Sequence, residues 1–259
     1  MKADDLQLAE LVEFAEGRLS LQGRRLVLHD LHAFAQFRRD LLDMVGLADG
    51  RRILTPFGYF WGQADAAAMK RLFTWDNLEE WLKAGPRLHT LQGVARTVIR
   101  SLSVDPAGSR FRMELAWHGS GEAEEHLAEV GPADHPVCWM LAGYASGYAS
   151  FCTGTEVYFI ERACRARGDR VCLASGCDAA SWGAELKPYL GYFQADEIRG
   201  KVETLSQELR RQSRELARQR QRLRLLEGST AAEFAEVRRH AGLLIGPSLG
   251  SLPDPQGHD

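Results

Sequence analysis

The chain has 259 residues, of which 45% are hydrophobic and 26% charged, and its formal net charge is −3. That apolar share is enough for one large core or two small ones, and the near-balance of charge excludes a general pull toward nucleic acid. No run of about 18 apolar residues occurs, and the N-terminal MKADDLQLAELVEF puts Asp4, Asp5 and Glu10 where a signal peptide needs an apolar stretch, so a cytoplasmic chain without membrane contact is expected.

The first 50 residues read as helix, hairpin, helix. Leu6, Leu8, Leu11, Val12 and Phe14 give the first helix an apolar stripe, and GRLSLQGRRLVLHD (17–30) alternates about Gln22-Gly23 as a short hairpin does. Leu31 to Met44 returns to helical spacing. Residues 61–104 read as mostly helical, with bulk from Trp75, Trp81 and Leu82 and a break at Gly85-Pro86 just before His89. FRMELAW (111–117) alternates like a strand, and GEAEEHLAEVG (121–131) is a polar-faced helix. PVCWMLAGYASGYASFC (136–152), apolar and rich in small residues, predicts a buried helix starting at Pro136. EVYFIERAC (156–164) and RVCLAS (170–175) are strand candidates, joined by RARGD, whose Gly168 and Asp169 suit a hairpin turn. Together these elements predict an α+β domain that ends near residue 185.

From Asp196 the pattern changes. Ile198, Val202, Leu205, Leu209, Gln212, Leu216, Gln219, Leu223 and Leu226 follow at alternating spacings of 4 and 3. A single amphipathic surface helix rarely keeps so strict a period, so a coiled coil is expected, with Gln212 and Gln219 as polar core positions that weaken it and can fix its register. Past Gly228 a short helix leads to GPSLGSLPDPQGHD, whose composition predicts disorder.

All five cysteines, Cys138, Cys152, Cys164, Cys172 and Cys177, fall within 40 consecutive residues. An odd number in a reducing compartment argues against a disulfide framework, and the clustering favours a metal site over scattered buried thiols. Cys164 and Cys172 face each other across the predicted hairpin. Glu161 shares a strand with Cys164 but, three residues away, points to the other face unless a bulge intervenes near Arg162-Ala163. Cys138 at the start of the buried helix can supply a fourth ligand, and three thiolates with a carboxylate suit Zn²⁺ in a closed tetrahedral structural role. No Cys-x-x-Cys knuckle is present, free cysteines also serve as small buried hydrophobes, and by count alone Cys152 and Cys177 are equal candidates.

RILTPFGYFWGQADA (52–66), EEWLKAGPRLHTLQG (79–93), HPVCWMLAGYASGYAS (135–150) and ERACRARGDRVC (161–172) resemble one family, in order and in register over about residues 15–185. It is the N-terminal sensor of phenol- and xylene-responsive NtrC-type activators that work with sigma-54 polymerase, whose second half is the domain named after 4-vinyl reductase. The resemblance implies a zinc-containing sensor at 51–185, preceded by a dimerisation segment at 1–50 and followed by a coiled-coil linker at 186–228 and a tail at 229–259. It implies Cys138, Glu161, Cys164 and Cys172 as the zinc ligands and excludes Cys152 and Cys177. It also implies that His89 and Trp117 hold a phenolic hydroxyl, where an imidazole can accept the proton and an indole N–H can donate to the oxygen. Alone, His89 reads as a surface or core histidine and Trp117 as core. Leu82, Val94, Leu115, Tyr144, Tyr148 and Phe159 are added by position as the apolar wall of a single-ring pocket.

Two motifs depart from the family: its S-Y-E-A stretch reads Ser120-Gly121-Glu122-Ala123, and its Gly-Arg-Pro turn reads Gly154-Thr155-Glu156. Both put the effector's identity in question more than the fold. Phenol and cresols are the expected effectors, with toluene and xylene as the hydrocarbon alternative. Family members continue into an AAA+ ATPase and a DNA-binding module, and this chain has no G-x-x-x-x-G-K-[ST] loop, so it is expected neither to hydrolyse ATP nor to bind DNA directly. A homodimeric sensor that relays an aromatic effector through its linker is therefore the leading expectation. The alternatives are a zinc-stabilised dimerisation scaffold and a 4-vinyl-reductase-type enzyme. Four protein ligands leave zinc no open position, which counts against the enzyme.

Overall fold

The computed structural model describes residues 1–21, 24–27, 30–105, 109–193, 211–216, 218–221 and 236–239. The chain divides into two compact units, Met1–Arg199 and Gly200–Asp259. In the second unit, 211–216, 218–221 and 236–239 are helical and exposed, and they include Gln212, Leu216 and Gln219. Ile198, Val202, Leu205, Leu209, Leu223 and Leu226 lie outside the described residues. No helix among the described residues is long and apolar enough to cross a membrane.

The first unit opens with α1 (Leu8–Leu11) and a small antiparallel sheet of β1 (Val12–Ala15), β2 (Arg18–Leu21) and β3 (Arg24–Leu26). The expected first helix is thus cut short, because Val12 and Phe14 pair opposite Leu21 and Leu19 instead of completing a helical stripe. β2 and β3 pair antiparallel, as the expected hairpin requires, with Leu21 opposite Arg24, while Gln22 and Gly23 lie outside the described residues. Next comes α2 (Leu31–Leu72), capped by Asp30, whose side chain accepts from the Ala33 N–H. It bends once, at Gly46 (φ 79°, ψ 168°), a conformation that only glycine adopts without strain.

Helix α3 (Leu78–Leu91) starts at Asn77, whose side chain accepts from the Glu80 N–H, and it continues through Gly85-Pro86. The break expected there does not occur. Pro86 removes one backbone donor, yet Trp81, Leu82, Ala84, Gly85, Leu88 and His89 are all buried, and their packing outweighs one lost hydrogen bond. A Cβ at position 85 would lie 2.8 Å from the Tyr148 ring, so glycine there serves close packing.

A four-stranded antiparallel sheet in the order β4-β5-β7-β6 completes the framework. Its strands are β4 (Arg96–Val104), β5 (Phe111–His118), β6 (Val157–Ala163) and β7 (Cys172–Asp178). β4 corrects the helical expectation for 61–104: Thr97, Val98 and Ile99 are β-branched, and burial alternates along this edge strand. The strands foreseen as β5, β6 and β7 are present. Helix α4 (Gly121–Glu129), capped by the Ser120 hydroxyl, follows β5, and α5 (Trp139–Thr153) precedes β6. α5 begins at Trp139 rather than at Pro136, with Cys138 as its N-cap residue. Short helices α6 (Ala179–Trp182) and α7 (Lys187–Leu190) close the unit, and packing continues past residue 185, where Trp182, Leu186, Tyr189 and Leu190 cluster with Tyr158 and Ile160.

α2 and α5 approach closely enough for their backbones to touch. A Cβ at Gly58, Gly62, Gly143 or Gly147 would overlap the carbonyl of Met140, Tyr144, Thr55 or Tyr59 respectively. At the start of α5 a buried ion pair joins three elements. Arg38 of α2 donates to Glu122 of α4 at 2.6 Å and to the Val137 carbonyl at 2.7 Å, and its guanidinium lies 4.4 Å over the Trp139 ring. Glu122 in turn accepts from the Met140 and Leu141 N–H groups at 3.1 and 2.9 Å, which are otherwise unpaired donors of the first helical turn. Burial pushes the Glu122 carboxyl up, and Arg38 with these two amides opposes that push.

Candidate functional site

Two sites share the space around α5. The first is a cavity of about 20 Å³ between the sheet and helices α3 and α5. Strand alternation puts Met113, Leu115 and Trp117 of β5 on its floor, with Thr97 directly opposite Trp117 in the register and Phe159 from β6. Leu82, Pro86 and His89 come from α3, and Tyr144, Ala145, Tyr148 and Ala149 come from α5. Of the eight residues expected from the sequence, seven line this cavity, and Val94 does not. Val94 sits just beyond α3, where its N–H donates to the His89 carbonyl and its own carbonyl accepts from Gly121, and its side chain packs half-buried on the core. Pro86, Thr97, Met113, Ala145 and Ala149 also line the wall, and nothing in their spacing distinguishes them from other core residues.

Polar groups in the wall are few and differ in their commitments. Tyr144 donates its hydroxyl to Asp65 at 3.0 Å and Tyr148 donates to the Trp81 carbonyl at 3.1 Å, so both offer ring faces to the cavity. His89 is buried, its ring centroid is 3.7 Å from that of Tyr144, and its Nε2 has no hydrogen-bond partner. Burial pushes its pKa down to about 3, so the imidazole is neutral at physiological pH and keeps one acceptor nitrogen. The space holds little more than a water, whereas a cavity that admits benzene is on the order of 150 Å³. Any ring that enters must move side chains.

The second site is a buried cluster of Cys138, Glu161, Cys164 and Cys172, whose ligand atoms all lie within 4.8 Å of one another. The sulfurs are 3.7 Å (Cys138–Cys172), 4.0 Å (Cys138–Cys164) and 4.0 Å (Cys164–Cys172) apart. Glu161 reaches the cluster because the β6–β7 register shifts between Glu161 and Ala163, the bulge that the three-residue spacing requires. One carboxylate oxygen accepts from the Cys138 N–H at 2.9 Å, and the other, Oε1, has no partner. The Ser120 hydroxyl lies 3.2 Å from the Cys138 sulfur, and the Arg165 N–H donates to the Cys172 sulfur at 3.3 Å. Burial pushes Cys138 and Glu161 up, while hydrogen bonds from Cys138 and Cys172 drive Cys164 down. Four acidic groups held this close would all ionise only beside a cation. Cys152 and Cys177 are buried elsewhere and are not part of the cluster.

The two sites are neighbours on the same strands. Trp117, in the cavity floor, pairs directly across from Cys172, and Phe159 precedes Glu161 by two residues on β6. The Glu122 of the S-x-E-A stretch, which sequence reasoning did not place, caps α5 right after Cys138. Gly121, where the resembled family carries an aromatic, lies against Leu31 of α2, whose Cδ2 would be 2.7 Å from a Cβ at that position.

Residues 7–105 match the profile described as activator of aromatic catabolism, and residues 117–175 match that of the domain named after 4-vinyl reductase. The chain is 33% identical over 201 residues to the transcriptional regulatory protein XylR of Pseudomonas putida, a match covering 76% of this chain and 35% of XylR. It is 31% identical over 193 residues to the phenol regulator MopR of Acinetobacter guillouiae, covering 74% of this chain and 34% of MopR. This chain therefore spans about a third of the length of these curated relatives. The crystal structure of the phenol-responsive sensory domain of the transcription activator PoxR with phenol aligns at a TM-score of 0.69 and 30% identity, covering 72% of this chain and 94% of that one.

Proposed function

Because this chain belongs to the family of activators of aromatic catabolism, we propose that it is the sensory part of a transcription regulator and binds a single-ring aromatic effector in the α3–α5 cavity. The observation that carries the reading is the buried His89 Nε2, left without a partner in an aromatic wall. An unsatisfied buried acceptor costs about 1–3 kcal/mol, and a phenolic O–H would relieve it while the Trp117 indole N–H donates to the same oxygen. Phenol and cresols therefore fit better than toluene or xylene, which would fill the space and leave Nε2 unpaired. Leu82, Leu115, Tyr144, Tyr148 and Phe159 would clasp the ring. Isothermal titration should show His89→Ala weakening phenol by about tenfold and toluene much less. Equal losses for both ligands would make His89 a packing residue, and a wild-type chain that binds neither would leave only a scaffold.

The cluster is read as a structural zinc site with Cys138, Glu161, Cys164 and Cys172 as ligands. A tetrahedron with Zn–S bonds of about 2.3 Å separates its sulfurs by about 3.8 Å, against the observed 3.7 to 4.0 Å. Glu161 Oε1, partnerless and buried, supplies a fourth donor. Such a set is closed to substrate, which favours a stabilising role over catalysis.

We assign residues 1–50 to dimerisation, 51–185 to effector binding, 186–228 to a linker whose first residues, Leu186 to Phe193, pack back beside Tyr158 of β6, and 229–259 to a tail. In this reading the linker relays effector binding to the ATPase and DNA-binding parts of a sigma-54-dependent regulator. Phe14, Phe37, Met44, Phe57 and Phe60 are exposed on β1 and α2, an apolar surface that suits a second copy of the chain. Residues 1–199 should sediment as a dimer at micromolar concentration, and Phe37→Glu with Met44→Glu should shift them to monomer. A wild-type monomer would refute the dimer surface.

A further inference from the structure

The buried carboxylate of Asp65 on α2 lies outside the cavity and touches it at one point. Its Oδ2 accepts the Tyr144 hydroxyl at 3.0 Å and, more weakly, the Gln92 amide at 3.4 Å. Its Oδ1 accepts Arg24 Nη2 of β3 at 2.6 Å, and the Arg24 side chain is 31% exposed. An unpaired carboxylate at this depth would be costly, so Arg24 holds the charge in place and the charge holds Tyr144. The Tyr144 ring rests on His89 at 3.7 Å, with Trp61 behind it at 5.1 Å in an edge contact. Its backbone has no freedom to retreat, since the Tyr144 carbonyl sits against Gly62 of α2. The wall can yield there only by rotation of the Tyr144 side chain, and that rotation breaks the bond to Asp65.

From this geometry we propose that Asp65 is a positioning residue that sets the upper size of the effector, by anchoring Tyr144 as a fixed wall of the cavity. The proposal rests on the effector-binding reading above. Because the cavity must enlarge for any ring, the walls that give easily decide where substituents go, and the anchored wall excludes them. Releasing the anchor admits a larger ring without changing any other atom of the lining. The ratio of affinities for a large and a small phenol is the informative quantity, since both carry the same hydroxyl and differ only in bulk.

The full chain is titrated calorimetrically with phenol and with 4-ethylphenol, as wild type, Asp65→Asn, Arg24→Met, Tyr144→Phe and the Asp65→Asn/Tyr144→Phe double variant. Asparagine replaces one carboxylate oxygen by an NH2 and removes the charge, so the charged acceptor that holds the Tyr144 hydroxyl is lost. Phenylalanine keeps the ring and deletes the anchor. Each single variant should raise the 4-ethylphenol-to-phenol affinity ratio by about fivefold, and the double variant should raise it no further. A residue important only for folding would lower the melting temperature and leave this ratio unchanged. An unchanged ratio in soluble Tyr144→Phe overturns the proposal, as does a double variant whose shift is the product of the two singles. Should Asp65→Asn not accumulate, Arg24→Met and Tyr144→Phe make the same measurement. A wild-type chain that binds neither phenol is a failure of the effector reading itself, and is distinct from these outcomes.

Discussion

Cys164→Ser and Cys172→Ser are each expected to give insoluble or unfolded protein with far less than one zinc per chain. The zinc would tie the start of α5 to β6 and β7, three elements that otherwise meet around four acidic groups. Structural zinc contributes on the order of 10 kcal/mol in small zinc-binding peptides, comparable to the whole stability of an ordinary domain at about 5–15 kcal/mol. Cys152→Ser and Cys177→Ser, outside the cluster, should keep the metal. Elemental analysis with far-UV circular dichroism reads both quantities. A well-folded, metal-free Cys164→Ser protein would sink the zinc assignment.

The next largest effect should come from Arg38→Met. It removes the guanidinium partner of Glu122 while leaving that carboxylate buried against α5. Removing one member of a buried ion pair typically costs about 3–5 kcal/mol, mostly from the charge left behind. Urea denaturation should therefore show a greatly lowered midpoint with an unchanged slope. Adding Glu122→Gln to Arg38→Met should recover part of the loss, because the stranded charge is gone while an oxygen still accepts from one of the two amides, Met140 or Leu141. A midpoint within experimental error of wild type in the single variant would mean that Glu122 is solvated and the pair carries no stability.

Much of this was legible in the residues, and the rest failed for physical reasons. β5, β6 and β7 announce themselves by alternation and by turn residues, and Glu161, Cys164 and Cys172 required the bulge that the register contains. β4 escaped because it is an edge strand with a largely exposed sequence, so its period is blurred by Arg96, Arg100 and the serines. Pro86 looked like a stop signal, but a buried helix tolerates one missing donor where an isolated one does not. The cavity wall from α5 was half visible: Tyr144 and Tyr148 stand out by size, whereas Ala145 and Ala149 are small residues whose place in the wall follows only from the packing of the helix on the sheet. Arg38 and Glu122, 84 residues apart, form a pair that no local pattern encodes. Asp65 was hidden the same way, since a lone aspartate in a helix reads as solvent-facing until a tyrosine and an arginine converge on it.

The glycine contacts between α2 and α5 bear on how this protein can be inherited and cut. One family profile ends at residue 105 and the other begins at 117, which invites treating the halves as separable modules. Yet α2 lies in the first half and α5 in the second, and their backbones interlock at Gly58, Gly62, Gly143 and Gly147 with no side chain between them. Either half alone would expose the strip of main chain that the other half covers. The named halves are therefore one heritable piece, and an exchange between related sensors would have to carry both helices or swap all four glycine contacts together.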